Sequence, residues 1–267
     1  MTRRREQTDR PLRVLLAAVA VWAATAGPAA LAAEVEATLD WARRVELSTP
    51  VSGVVAEVAA EPGDAVAAGE ALVRLDPRPL KAAARAAQAR VDRTRPARDE
   101  AERELERSRE LYERTLLSKH DLQVAEIEHA AADAALREAQ AALEQARLDL
   151  EYSVVRAPFE AWVLERPAQV GQTVVTRLEA RPLVVLAERG RMLARAAVAE
   201  VVAGELERGR QLEVVVDGRG YAGTVRTVGL EPVADGGETP RYPVTVVFSH
   251  DGAERLRAGG KAKVVLP

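Results

Sequence analysis

Two stretches decide the fold of this 267-residue chain: Thr49-Pro-Val-Ser-Gly-Val-Val-Ala-Glu-Val-Ala-Ala-Glu-Pro-Gly-Asp-Ala-Val66 and Ala157-Pro-Phe-Glu-Ala-Trp-Val-Leu-Glu-Arg-Pro-Ala-Gln-Val-Gly-Gln-Thr-Val174. Aligned without gaps at an offset of 108 residues, Pro50 meets Pro158, Val55 meets Val163, Glu57 meets Glu165, Ala60 meets Ala168, Gly63 meets Gly171 and Val66 meets Val174. Matches of Ala, Val and Glu carry little weight in such a composition. Matched Pro and Gly carry more, because each answers a backbone need: a fixed φ in one case, access to φ > 0 in the other. Residues 77–150, between the copies, are rich in Ala, Arg, Glu and Leu, all good helix formers. A β-unit repeated on either side of a helical insertion describes one domain split in two.

The insertion reads as two helices. Asp76-Pro77 supplies an N-cap and a first-turn proline for a helix running to about Leu117. Its apolar seam is Leu80, Ala84, Ala87 and Val91. Pro96 then removes an intrahelical bond and predicts a bend or a break. A shifted seam of Ala101, Leu105, Ser108 and Tyr112 follows. The return helix keeps a 3-4 alternation from Leu122 through Ala125, His129, Ala132, Leu136, Ala139, Leu143 and Ala146 to Leu150. With only a short turn near Leu117–Lys119 between them, the two predict an antiparallel coiled-coil hairpin roughly 50–57 Å long. His129 reads as a tolerated polar seam residue rather than a ligand.

Around the repeat, Val45–Asp76 reads as short strands broken at Ser52-Gly53, Pro62-Gly63 and Ala68-Gly69. Beyond it the period is two: Leu212, Val214, Val216; then Tyr221, Gly223, Val225, Thr227; then Tyr242, Val244, Val246, Phe248; then Ala262, Val264, Leu266. With a short helix near Glu200–Arg208, these strands predict a small closed β-barrel.

Composition narrows the function. A net charge of -3 gives no basic stripe for nucleic acid. The N-terminus runs from Arg3, Arg4, Arg5, Arg10 and Arg13 through an apolar stretch, Val14–Ala26, to Ala30-Leu31-Ala32. That is the order of a secretory signal peptide, with an uncleaved anchor as the alternative. The chain has no cysteine, so packing alone must hold an exported fold. Three scattered histidines, His120, His129 and His250, make no metal cluster, and no cofactor is called for.

The order of signal peptide, half β-domain, helical hairpin, other half and barrel resembles the periplasmic adaptors of bacterial tripartite export systems, the HlyD-like membrane fusion protein family. The segments that carry the likeness are Pro50-Val-Ser-Gly-Val-Val55, Gly63-Asp-Ala-Val-Ala-Ala-Gly-Glu-Ala-Leu-Val-Arg-Leu-Asp76, Val155-Arg-Ala-Pro-Phe-Glu-Ala-Trp-Val163 and Leu256-Arg-Ala-Gly-Gly-Lys-Ala-Lys-Val-Val265. The resemblance implies a mixed, elongated α+β fold: signal peptide 1–33, lipoyl-like halves 34–76 and 151–187, hairpin 77–150 and barrel 188–267. It implies a periplasmic protein at the inner membrane of a Gram-negative bacterium, bridging an inner-membrane transporter (RND favoured over ABC) to a TolC-like outer-membrane channel. Copies would associate in a ring, commonly six. At the hairpin tip, Arg107, Leu111 and Ser118 match the family spacing for channel docking.

Three departures stand beside the likeness. Ala161 occupies a position where Gly is usual, Gln123 one where an acidic residue is frequent, and the chain leaves little room for a membrane-proximal domain. Three rival readings compete with this one. A lipoyl- or biotinyl-type carrier needs an exposed lysine on a tight turn where the helices stand, and Lys81 and Lys119 lack the expected neighbours. An adaptor-like scaffold without channel docking is the second. An enzyme finds no Ser/His/Asp set, phosphate loop or metal spacing.

Overall fold

The structure is a computed structural model that describes residues 33–176, 181–233 and 239–266. The expected signal segment thus lies almost wholly outside the described residues. Two compact units are present, and none of the described helices is long and apolar enough to cross a membrane.

The first unit is a closed six-stranded barrel of β1 (Glu34–Trp41), β10 (Arg191–Ala199), β13 (Arg241–Ser249), β12 (Arg219–Val228), β11 (Gln211–Val216) and β14 (Lys261–Val265), in that order, with α3 (Glu200–Glu205) beside it in sequence. Alternation sets its inside: Leu212, Val214, Val216, Val244, Val246, Phe248, Ala262 and Val264 are all buried. The predicted inward row breaks at Thr227, which is exposed, because a bulge between Val225 and Thr227 shifts the register. Gly223 has no room for a side chain, since a Cβ there would fall 2.6 Å from Val246 Cγ1. One boundary differs from the sequence reading. β1, assigned above to the first lipoyl-like half, pairs with β14 from Glu34↔Val265 to Thr38↔Lys261 and is a barrel strand. Its Ala37 and Leu39 alternate inward, a pattern too short to place without its partner.

The second unit contains two four-stranded sheets. One orders β2 (Arg44–Leu47), β9 (Val184–Glu188), β7 (Ala161–Glu165) and β4 (Ala65–Val66). The other orders β6 (Val154–Arg156), β5 (Ala71–Leu75), β3 (Gly53–Val58) and β8 (Thr173–Val174). Each sheet takes strands from both halves, and the exchange is reciprocal. Gly53 pairs with Val174 as Ala161 pairs with Val66. Gly63 N–H donates to the Val163 carbonyl and Gly171 N–H to that of Val55, both at 2.8 Å. The two glycines sit at φ +94° and +86°, a region open mainly to glycine. Bulges fall at Val55/Glu57 and at Val163/Glu165. Ala161 in place of Gly therefore changes nothing, because Gly53 begins its strand without a positive φ. The shared core includes Val55, Leu72, Leu75, Ala161, Val163, Leu183 and Leu186.

β5 and β6 are antiparallel neighbours, and the link between them is α1 (Arg78–Glu113) followed by α2 (Lys119–Tyr152). The helices run antiparallel: Val91 packs with Ala139 and Leu143, Arg90 meets Glu138 at 3.4 Å and Arg98 meets Asp133 at 3.7 Å. All nine predicted seam residues of α2 are buried or half-buried. α1 departs from expectation. It is unbroken through an exposed Pro96, and its seam keeps phase, because half-buried Thr94 and Arg98 continue the 3-4 spacing from Val91 to Ala101. Two polar seam residues imitated a phase shift.

Candidate functional site

The helices are seated firmly where they leave the sandwich. The N-cap of α1 is Pro77 rather than Asp76. Asp76 still serves the helix start, accepting from the Arg78 N–H and from its guanidinium, and those bonds lower its pKa to about 2. Across the base, buried Thr49 donates to the Tyr152 carbonyl at 2.8 Å and buried Ser153 to that of Leu150 at 2.6 Å. These satisfy carbonyls that a helix end leaves open.

The far end is built differently. α1 ends at Glu113 with Arg114 as its C-cap, and the next residue, β-branched Thr115, turns left-handed at φ +62°. Leu116 N–H donates to the Leu111 carbonyl and Thr115 N–H to that of Tyr112, each at 2.9 Å. This is the Schellman arrangement, whose left-handed position glycine usually fills. Ser118 then caps α2: its Oγ accepts from the Asp121 N–H at 3.2 Å and donates to the Asp121 carboxylate at 2.7 Å. An acidic residue in the first turn also suits the helix dipole.

Each predicted docking residue lies in this end of the hairpin. Arg107 is exposed and bonds Glu104 of its own helix at 2.9 Å. Leu111 is half-buried one turn further on, and Ser118 is exposed at the cap. No hydrogen bond or ion pair joins the three among the described residues; they share a surface. Tyr112, placed in the seam from sequence, is exposed at the tip, where the partner helix has run out. Sequence reasoning also passed over Asp121 and Leu116. The first was legible in the capping pattern Ser118-Lys-His-Asp121. The second, 71% exposed, had no periodic signal because it follows the helix end.

Among the described residues no group of three or more His, Asp or Glu is placed to hold a metal ion. Elsewhere in the sandwich unit, the guanidiniums of Arg189 and Arg255 each lie over the Trp162 ring, at 5.4 and 4.9 Å from its centroid. Residues 43–182, which hold both helices and every sandwich strand but β9, match the family of CzcB-like barrel-sandwich hybrid domains. The chain belongs to that family. The resemblance to periplasmic adaptor (membrane fusion) proteins drawn from the sequence therefore holds. Among curated relatives of this CzcB-like protein, nodulation protein NolF of Rhizobium meliloti (strain 1021) is 30% identical over 221 residues, 82% of this chain and 58% of that protein. Macrolide export protein MacA of Escherichia coli O157:H7 is 29% identical over 207 residues, 71% of this chain and 56% of that protein. The chain thus spans little more than half the length of these relatives. In fold it resembles the membrane fusion protein Spr0693 from Streptococcus pneumoniae R6, with TM-score 0.66 and 16% identity, covering 88% of this chain and 98% of that one. It also resembles a MacA–MexA chimera bearing the Pseudomonas aeruginosa MexA α-hairpin domain, with TM-score 0.63 and 20% identity, covering 88% and 79%.

Proposed function

We propose that this CzcB-like protein is a periplasmic adaptor that bridges an inner-membrane export transporter to a TolC-like outer-membrane channel in a Gram-negative bacterium. The observation that carries the reading is the long helical pair grown from a β5–β6 turn, ending in exposed Arg107 and Ser118 with half-buried Leu111 beside them. The two helices act as a coiled-coil hairpin whose tip meets the channel. Copies stand side by side in a ring, six in number by resemblance to the family, beside a transporter of RND rather than ABC type. The role is assembly, not catalysis, and no cofactor takes part. A lipoyl-type carrier is disfavoured because the turn that would present its lysine is occupied by the helices.

Arg107→Asp and Leu111→Ser test the docking. Surface changes away from core features shift stability by less than about 0.5 kcal/mol, so helicity and melting should stay near wild type for exposed Arg107 and fall only slightly for half-buried Leu111. Export in a cell that depends on this protein should be lost, because a misplaced charge or a missing apolar anchor at an interface centre is costly. Arg90→Gln is the neutral control. Leu143→Ala should weaken the hairpin itself by about 2–3 kcal/mol. Normal export by both tip variants would overturn the docking assignment.

A further inference from the structure

Strand register brings three stretches of the barrel unit to one end of the barrel. Glu34 opens β1 opposite Val265 of β14, and Val265 lies opposite Glu213 near the start of β11. Gln211, where β11 begins, lies opposite Thr224 in the later part of β12, and Val228 closes β12 opposite Val244, near the start of β13. The chain entry at Ala33, the link from α3 into β11 and the connection after β12 therefore share that end. Leu230 stands there 94% exposed, with Val233 at 42%. Neither belongs to a loose tail: Gly229 N–H donates to the Pro243 carbonyl and Val233 N–H to that of Arg241, each at 2.7 Å. Backbone bonds on both sides thus hold a leucine almost wholly in water, where a cover would be favourable.

The sequence says what the cover is. Val14–Ala33 is a run of 20 uncharged residues, the length that crossing a bilayer requires. Arg3, Arg4, Arg5, Arg10 and Arg13 precede it, and such cations stay on the cytoplasmic side, which sets residue 34 onward on the other. No linker follows the run. The Ala33 carbonyl accepts from the Leu266 N–H at 2.9 Å, and β1 begins at the next residue. With the run read as an anchor, the end of the barrel that holds Ala33 is drawn to the lipid surface. Leu230 and Val233 stand at that same end.

We propose that this end of the barrel rests on the outer surface of the inner membrane, with Leu230 and Val233 inserted among the lipid headgroups. The anchor keeps the loop concentrated at the surface, so a shallow insertion needs little affinity of its own. Arg208, Arg210 and Arg241 are exposed beside it, and the first two bond only backbone carbonyls, of Arg226 and Glu205. Glu205, Glu207 and Glu231 are exposed as well and balance them. The contact therefore rests on apolar insertion and depends little on anionic lipid. The inference takes up the anchor reading of residues 14–33 and rests on the periplasmic placement proposed above; it is independent of the hairpin tip.

Because the chain has no cysteine, one introduced thiol carries one label. Full chains with Leu230→Cys, or with Leu116→Cys at the hairpin tip as reference, are labelled with a polarity-sensitive fluorophore and reconstituted into phosphatidylcholine vesicles. The label at residue 230 should emit further to the blue than the reference, be quenched by brominated lipid and be several-fold less open to aqueous iodide. Adding anionic lipid should change this by less than twofold. Val233→Glu in the labelled chain should return the label several-fold toward the reference, with circular dichroism unchanged. Equal iodide quenching at the two positions overturns the proposal. So does a label at residue 230 that is shielded only in native membranes holding the transporter, which would make the cover a protein. If either happens while Arg107→Asp still abolishes export, the bridging function stands and the lipid contact alone is lost.

Discussion

At the scale of single residues, the hairpin tip keeps a conformation its sequence disfavours. A left-handed backbone costs an L-residue roughly 1–2 kcal/mol, most for a β-branched one, and Thr115 adopts it at φ +62°. Thr115→Gly should therefore stabilise the protein by about 1 kcal/mol, read as a higher urea midpoint with an unchanged slope; destabilisation would show that the threonine side chain holds the turn. Asp76 gives a pH signature at the other end. Its bonds to Arg78 lower its pKa from 3.8 to about 2 in the folded chain. The stability it contributes is complete above the unfolded value and is lost as pH falls from about 4 toward 2. Asp76→Asn should flatten that part of a stability profile measured by thermal melting and leave the neutral region nearly parallel to wild type.

At the scale of elements, legibility followed locality. The α2 seam could be read outright because Leu and Ala alternate without a slip. The α1 seam was misread at Thr94 and Arg98, where half-buried polar residues carry the period that an apolar pattern cannot show. Pro96 then acquires a different meaning: within a continuous helix, it leaves the Asp92 carbonyl without its usual donor. Pro96→Ala should restore that bond and raise stability by about 1–3 kcal/mol, with a small gain in helicity by circular dichroism; a lower melting temperature would show that α1 depends on the proline.

At the scale of the whole molecule, the repeat announced a split domain, but not that the halves trade strands. β4 pairs with β7 and β8 with β3, across about 100 residues of sequence. Pairing over such distances is invisible to a local pattern, as was the closure of β1 on β14. The exchange makes neither half a domain by itself. Replacing residues 77–152 by Asn-Gly, which suits a two-residue hairpin, should leave a β-rich, cooperatively melting protein, since β5 and β6 are already neighbours; an unfolded spectrum would refute the split-domain architecture. Placing the helices in the connection between adjacent strands also makes the reach of this protein an adjustable quantity. Seven residues added to each helix would lengthen the hairpin by about 10.5 Å and preserve the seam, the cap at Ser118 and the seat at Thr49. Additions that are not whole heptads would turn one helix against the other. The helical pair is in effect a ruler graduated in heptads, whose length can be reset without altering the sandwich that holds it.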